Sequence, residues 1–100
     1  MHNNTETLLS NFDETAYVSV NSFYTQFCSS IKHIDRRKNE NTVQLWVGQY
    51  TDSLKQSLES KAFEYLSRNR DLPTIDWFQK KLMYMIRLHL QEFLQRVRYV

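Results

Sequence analysis

Residues 75–97, IDWFQKKLMYMIRLHLQEFLQRV, decide the fold. Their apolar side chains do not alternate. Ile75, Phe78, Leu82, Met85, Ile86, Phe93 and Val97 recur at the three- and four-residue steps that keep side chains on one side of an α-helix. Met83, Leu90 and Leu94 widen the apolar arc to about half the circumference, more than one neighbouring helix can cover. This helix therefore belongs between two others of its own chain, or it completes a subunit interface. Its start is marked by Pro73, which cannot continue a preceding helix and pushes Leu72 out of the α region. Thr74 or Asp76 can cap it, with Gln79 three residues after Asp76.

Upstream of the Arg70-Asp71-Leu72-Pro73-Thr74 connection, a second helix is predicted from about Asn41 to Asn69. Its stripe is Val43, Trp46, Val47, Tyr50, Leu54, Leu58 and Tyr65, with Trp46 and Tyr50 as core aromatics. Asn41 and Gln44 read as a capping box. Leu45 and Phe63 point to the opposite side, either onto the N-terminal segment or into a dimer seam. Gly48 sits mid-helix at a cost of roughly 1 kcal/mol against alanine, which suggests a close neighbour or a local break.

A first helix is predicted from about Asn11 to Lys38. Asn11 and Glu14 form its capping box, Ala16, Val20, Phe23, Tyr24, Phe27, Ile31 and Ile34 its stripe, and Arg36, Arg37 and Lys38 its cationic last turn. Asn39 is its terminator. Residues 1–10 are expected as a flexible lead-in, with Leu8, Leu9 and Phe12 able to dock back as a short fourth helix. The expected architecture is thus an all-α antiparallel bundle of three long helices over residues 11–100. At ~25 residues each the helices are about 40 Å long. So thin a bundle leaves apolar area to cover, and a two-fold homodimer is the commonest solution. Leu45, Phe63, Met83, Leu90 and Leu94 are the expected interface.

The single glycine and single proline argue against a sandwich or barrel, whose turns draw on both residues, and against glycine-rich phosphate loops. The lone Cys28 cannot form an internal disulfide, which favours a reducing compartment. No apolar run approaches the ~18 residues of a membrane span, and Met1 to Ser10 lacks the basic-then-apolar pattern of a signal peptide. Cytoplasmic residence without membrane association is the expectation. The net charge of +2 is too small for a nucleic-acid tail.

No catalytic, cofactor or metal signature emerges. His2, His33 and His89 share no helix at the i, i+4 spacing of zinc-binding helices, and one cysteine makes no structural zinc site. His89, on the apolar side of the third helix, reads as a core histidine. Each carboxylate has a structural reading: Asp13, Glu14, Asp71 and Asp76 near helix starts, Glu64–Arg68 and Glu92–Arg96 as i, i+4 pairs. Cys28, at the edge of the first stripe, reads as a small hydrophobe.

One surface feature stands out. Lys80, Arg87 and Arg98 fall along the polar side of the third helix, with Trp77 and Tyr84 between them and Gln91 and Gln95 continuing the line. Cations interleaved with aromatics serve protein interfaces and, by stacking, nucleic acids; a plain solvated face is the ordinary alternative. The expected function is a non-enzymatic helical interaction protein: a small adaptor, regulator, inhibitor or assembly factor, homodimeric, with a protein partner. Trp77, Lys80, Tyr84, Arg87, Gln91 and Arg98 are its candidate contacts. A nucleic-acid-binding regulator using the same cations and Arg36, Arg37 and Lys38 is the alternative. No small-molecule substrate or cofactor is expected.

Overall fold

Three helices pack against one another: α1 (Asn4–Ile31), α2 (Glu40–Arg68) and α3 (Ile75–Arg98). The computed structural model describes residues 4–99, and of Asn4 the backbone alone. Edge-to-face pairs Phe12–Tyr65 and Phe27–Tyr50 run α1 and α2 antiparallel. Asp13 pairs with His89 and Asn21 with Arg96, so α3 runs parallel to α1. The result is an up-down-up bundle of 56 × 19 × 16 Å. Its radius of gyration, 16.1 Å, exceeds the ~13 Å of a compact 100-residue domain.

The core follows the stripes. Phe12, Ala16, Val20 and Phe27 of α1 meet Val43, Leu54, Leu58 and Ala62 of α2 and Phe78, Leu82, Phe93 and Val97 of α3, all buried. Trp46 and Tyr50 flank this core half-buried, as core-edge aromatics. The Tyr50 hydroxyl bonds to that of Ser30.

Helix boundaries differ from the sequence expectation in instructive ways. Residues 4–10 form the first turns of α1, neither a lead-in nor a separate fourth helix; residues 1–3 lie outside the described residues. Thr5 and Leu9 are buried, so the apolar stripe simply extends back past Asn11. Asn11 is therefore mid-helix and caps nothing; its carbonyl accepts from the Thr15 hydroxyl.

At the other end α1 stops at Ile31, about two turns before Lys38. Asp35 accounts for this. Its Oδ1 accepts from the Arg37 backbone N–H, and its carbonyl accepts from Lys38 and Asn39. Such a side-chain-to-backbone turn competes with helix continuation. Arg36, Arg37 and Lys38 thus belong to the α1–α2 loop. Asn39 precedes α2 as its N-cap without a side-chain capping bond, and Asn41 lies inside the first turn.

Gly48 neither breaks α2 nor admits a neighbour. The helix is continuous through it, and a Cβ built there meets nothing within 4 Å. Glycine in an exposed helix interior is about 1 kcal/mol worse than alanine. Gly48→Ala is expected to raise folding stability by about 0.5–1 kcal/mol, or several degrees in Tm for a chain of this size. A thermal melt at low protein concentration checks this, and an unchanged or lowered Tm contradicts it.

Candidate functional site

The polar side of α3 is presented to solvent along its whole length. Phe78, Leu82, Ile86, His89, Phe93 and Val97 turn inward. At about 100° per residue this leaves Trp77, Lys80, Tyr84, Arg87, Gln91 and Arg98 on the outward half, and all six are exposed. Asp76, Gln79, Lys80, Met83, Tyr84 and Arg87 rim a shallow depression there. Lys81, adjacent to the line, places its ammonium 5.4 Å from the Trp77 ring centre, within cation–π range.

The helical rotation splits this face in two. Trp77, Tyr84, Leu88 and Gln95 point directly away from the bundle. Lys80, Arg87 and Arg98 tilt towards α2, beside Met83 and Leu94. Of the expected interface residues, Leu45 and Phe63 are 61% and 70% exposed and do not pack on the N-terminal turns. Met83 and Leu94 are partly exposed, and Leu90 is half-buried against the core. Leu45 and Phe63 share one line on α2 but lie about 27 Å apart at 1.5 Å per residue.

The buried polar contacts lie elsewhere, between α1 and α3. His89 is a core histidine, as its place on the stripe indicates, and its Nε2 stands 2.7 Å from Asp13 Oδ1. A carboxylate only accepts, so Nε2 donates. The other ring nitrogen, Nδ1, has no hydrogen-bond partner and lies 3.9 Å from Glu92 Oε2. Arg96 donates to Asn21 Oδ1 at 2.6 Å and stacks over the Tyr24 ring at 4.1 Å. A side-chain hydrogen bond to Cys28 pushes the Tyr24 phenol above its ordinary value, while the Arg96 charge pulls the other way.

Neither expected i, i+4 ion pair, Glu64–Arg68 or Glu92–Arg96, closes within 4 Å among the described residues. Exposed pairs of this kind contribute little, and Arg96 is better satisfied by Asn21 and Tyr24. His33 is exposed in the loop after α1, and Cys28 is half-buried and in no disulfide. His2 lies outside the described residues. No group of three or more His, Cys, Asp or Glu among the described residues is placed to hold a metal ion. No helix among them is long and apolar enough to cross a membrane.

At the loop end, Arg36 Nη1 donates to the Val97 carbonyl, placing a cation at the α3 C-terminus, where the helix dipole favours it. Sequence reasoning had no means to find this contact or the Asp13–His89 bond, because 61 and 76 residues separate the partners.

Comparisons of the chain with protein-family models, with known proteins and with solved structures return no match.

The Asp13–His89 bond has a measurable consequence. Removing its acceptor leaves a buried ring N–H unpaired, a loss of about 1–3 kcal/mol. Asp13→Ala is expected to lower stability to urea by that amount, and Asp13→Asn, which keeps an acceptor oxygen, by less. Equal losses for the two variants would show that the bond does not matter to folding.

Proposed function

We propose that this protein is a non-enzymatic interaction protein, a small adaptor, regulator, inhibitor or assembly factor, that acts as a homodimer through its helix surfaces and docks a partner protein on the outward face of α3. One observation carries the reading. Among the ten exposed large apolar side chains of the described residues, five lie on α3: Trp77, Met83, Tyr84, Leu88 and Leu94. Tyr99 at its C-cap adds a sixth. Trp and Tyr are among the residues in which interface binding energy concentrates, and Trp77 and Tyr84 stand about two turns apart on the line that points directly away from the bundle. Cytoplasmic residence fits Cys28, which is in no disulfide.

A nucleic-acid-binding regulator is the second reading. The cations Lys80, Lys81, Arg87 and Arg98 beside two exposed aromatic rings support it, since phosphates and stacked bases need that combination. The net charge of +2 weighs against it.

Two experiments decide between them. In affinity capture from the native lysate, the wild-type chain is expected to retain a discrete protein. Trp77→Ala combined with Tyr84→Ala is expected to reduce that retention about 30-fold or more, the effect of losing a 2 kcal/mol hot spot, with the helical circular-dichroism signal intact. Retention that survives the double variant, or no retained protein, removes the reading. Fluorescence anisotropy of labelled random DNA and RNA tests the rival. Micromolar binding that weakens steeply with salt and collapses in the Lys80, Arg87, Arg98 triple alanine variant would put the regulator first.

A further inference from the structure

We propose that a second copy of this chain covers the α2–α3 face, with α2 of each copy lying on α3 of the other about a two-fold axis parallel to the bundle. This inference rests on the reading that the protein is a homodimer, and it specifies which face pairs and in what register.

Charge is the first support. On the side of α2 turned away from α1, Asp52 and Glu59 face solvent; on the corresponding side of α3 stand Lys80, Arg87 and Arg98, all exposed. Lys55 stands between the two carboxylates and Asp76 one turn before Lys80, so the balance of charge is acidic on the α2 ridge and basic on the α3 ridge. A surface built that way is complementary to itself under the two-fold rotation that exchanges the ridges, as an isologous interface requires.

Register is the second. Val47, Leu94 and Val97 line one cavity with Gln44 and Arg98, which sets Gly48 level with Leu94 across the antiparallel pair. Eleven residues further along α2 is Glu59, and eleven residues back along α3 is Met83. Glu59 is therefore level with a point about one turn from both Lys80 and Arg87. A rotation about an axis parallel to the helices preserves these levels. It places Glu59 between the partner's Lys80 and the partner's Arg87, and Gly48 under the partner's Leu94. Lys55 is level with Arg87 and is the one like-charge encounter, flanked by Asp52 and Glu59.

Gly48 is the third. Beyond its own helical turn nothing among the described residues lies within 4 Å of a Cβ there, yet it occupies a continuous helix in the most unfavourable way short of proline. A helix crossing at this point gives the missing side chain a purpose: it leaves a hollow level with Leu94, itself 39% exposed.

Area is the fourth. The chain exposes 7137 Å², against about 6,000 Å² for an ordinary monomer of 12.1 kDa. The excess, roughly 1,100 Å², is more than the about 800 Å² that one partner contributes to a standard interface.

Sedimentation equilibrium of the full chain tests this. The wild type is expected to sediment as two 12.1 kDa chains at micromolar concentration. Glu59→Arg and Arg87→Glu are each expected to weaken the dimer about tenfold or more, with circular dichroism unchanged. Their combination is expected to dimerise more tightly than either single variant, because it restores opposite charges across the two-fold. A monomeric wild type, a dimer indifferent to both single reversals, or a double reversal no better than the singles would each overturn the proposal. Partner capture sensitive to Trp77 and Tyr84 alongside an indifferent dimer would sink this pairing and leave the interaction reading standing. Charge-swap rescue without any captured partner would do the reverse.

Discussion

The structure depends on three apolar stripes closing on one another along their full length. None of the helices holds itself together. Most of the stability of a helix in a folded protein comes from packing of its apolar face, and α2 carries a glycine in its interior. Burial of Phe12, Phe27, Phe78 and Phe93 with the leucines and valines between them supplies what local preference does not. Each stripe spans more than six helical turns, so the core is long and narrow, and the rod shape follows. A long narrow core also has a high ratio of surface to volume. The exposed side chains of α3 and of the outer side of α2 are the direct result, and function has those surfaces to work with.

The periodicity of the sequence carried the architecture because burial is what the periodicity encodes. Three helices, their order and most of their inward-facing residues were legible from the spacing alone, and Pro73 marked the α2–α3 connection. The capping motifs misled. Asn11 with Glu14 and Asn41 with Gln44 match the pattern of a helix start, yet both asparagines are helical. A capping box contributes on the order of 1 kcal/mol, and another buried turn containing Thr5 and Leu9 outweighs it. The early end of α1 was hidden for the converse reason. Asp35 folds its carboxylate onto the Arg37 N–H, a local turn that a run of basic residues does not announce.

The outward face of α3 was legible because exposure follows from the same rotation that sets the core. Trp77, Lys80, Tyr84, Arg87, Gln91 and Arg98 come out on one exposed half of the helix, as their spacing requires. Their division into an aromatic line and a cationic line became visible only once α2 was placed beside them. Gly48 changed meaning in the same way. The sequence suggests a close neighbouring helix or a local break, whereas the structure keeps the helix continuous and leaves the position open to solvent.

The polar contacts of α3 answer a question that the apolar stripes leave open. Apolar stripes are promiscuous, and the same three amphipathic helices could close with α3 on either side of the α1–α2 hairpin. The two arrangements bring different flanks of α1 to α3. One flank carries Asp13, Asn21 and Tyr24; the other carries Ser19, Gln26 and Ser30. The first gives His89 a carboxylate acceptor, and Arg96 an amide oxygen together with a ring to stack on. In the opposite arrangement His89 would lose Asp13 as its acceptor and Arg96 would lose both Asn21 and the Tyr24 ring; a buried ring N–H left without an acceptor costs about 1–3 kcal/mol. On a native stability of order 5–15 kcal/mol such a difference is enough to leave one topology populated. The half-satisfied His89 is therefore best understood as a topological key, and the handedness of the bundle in turn fixes which ridge of α3 stands beside α2 and faces the solvent with its cations.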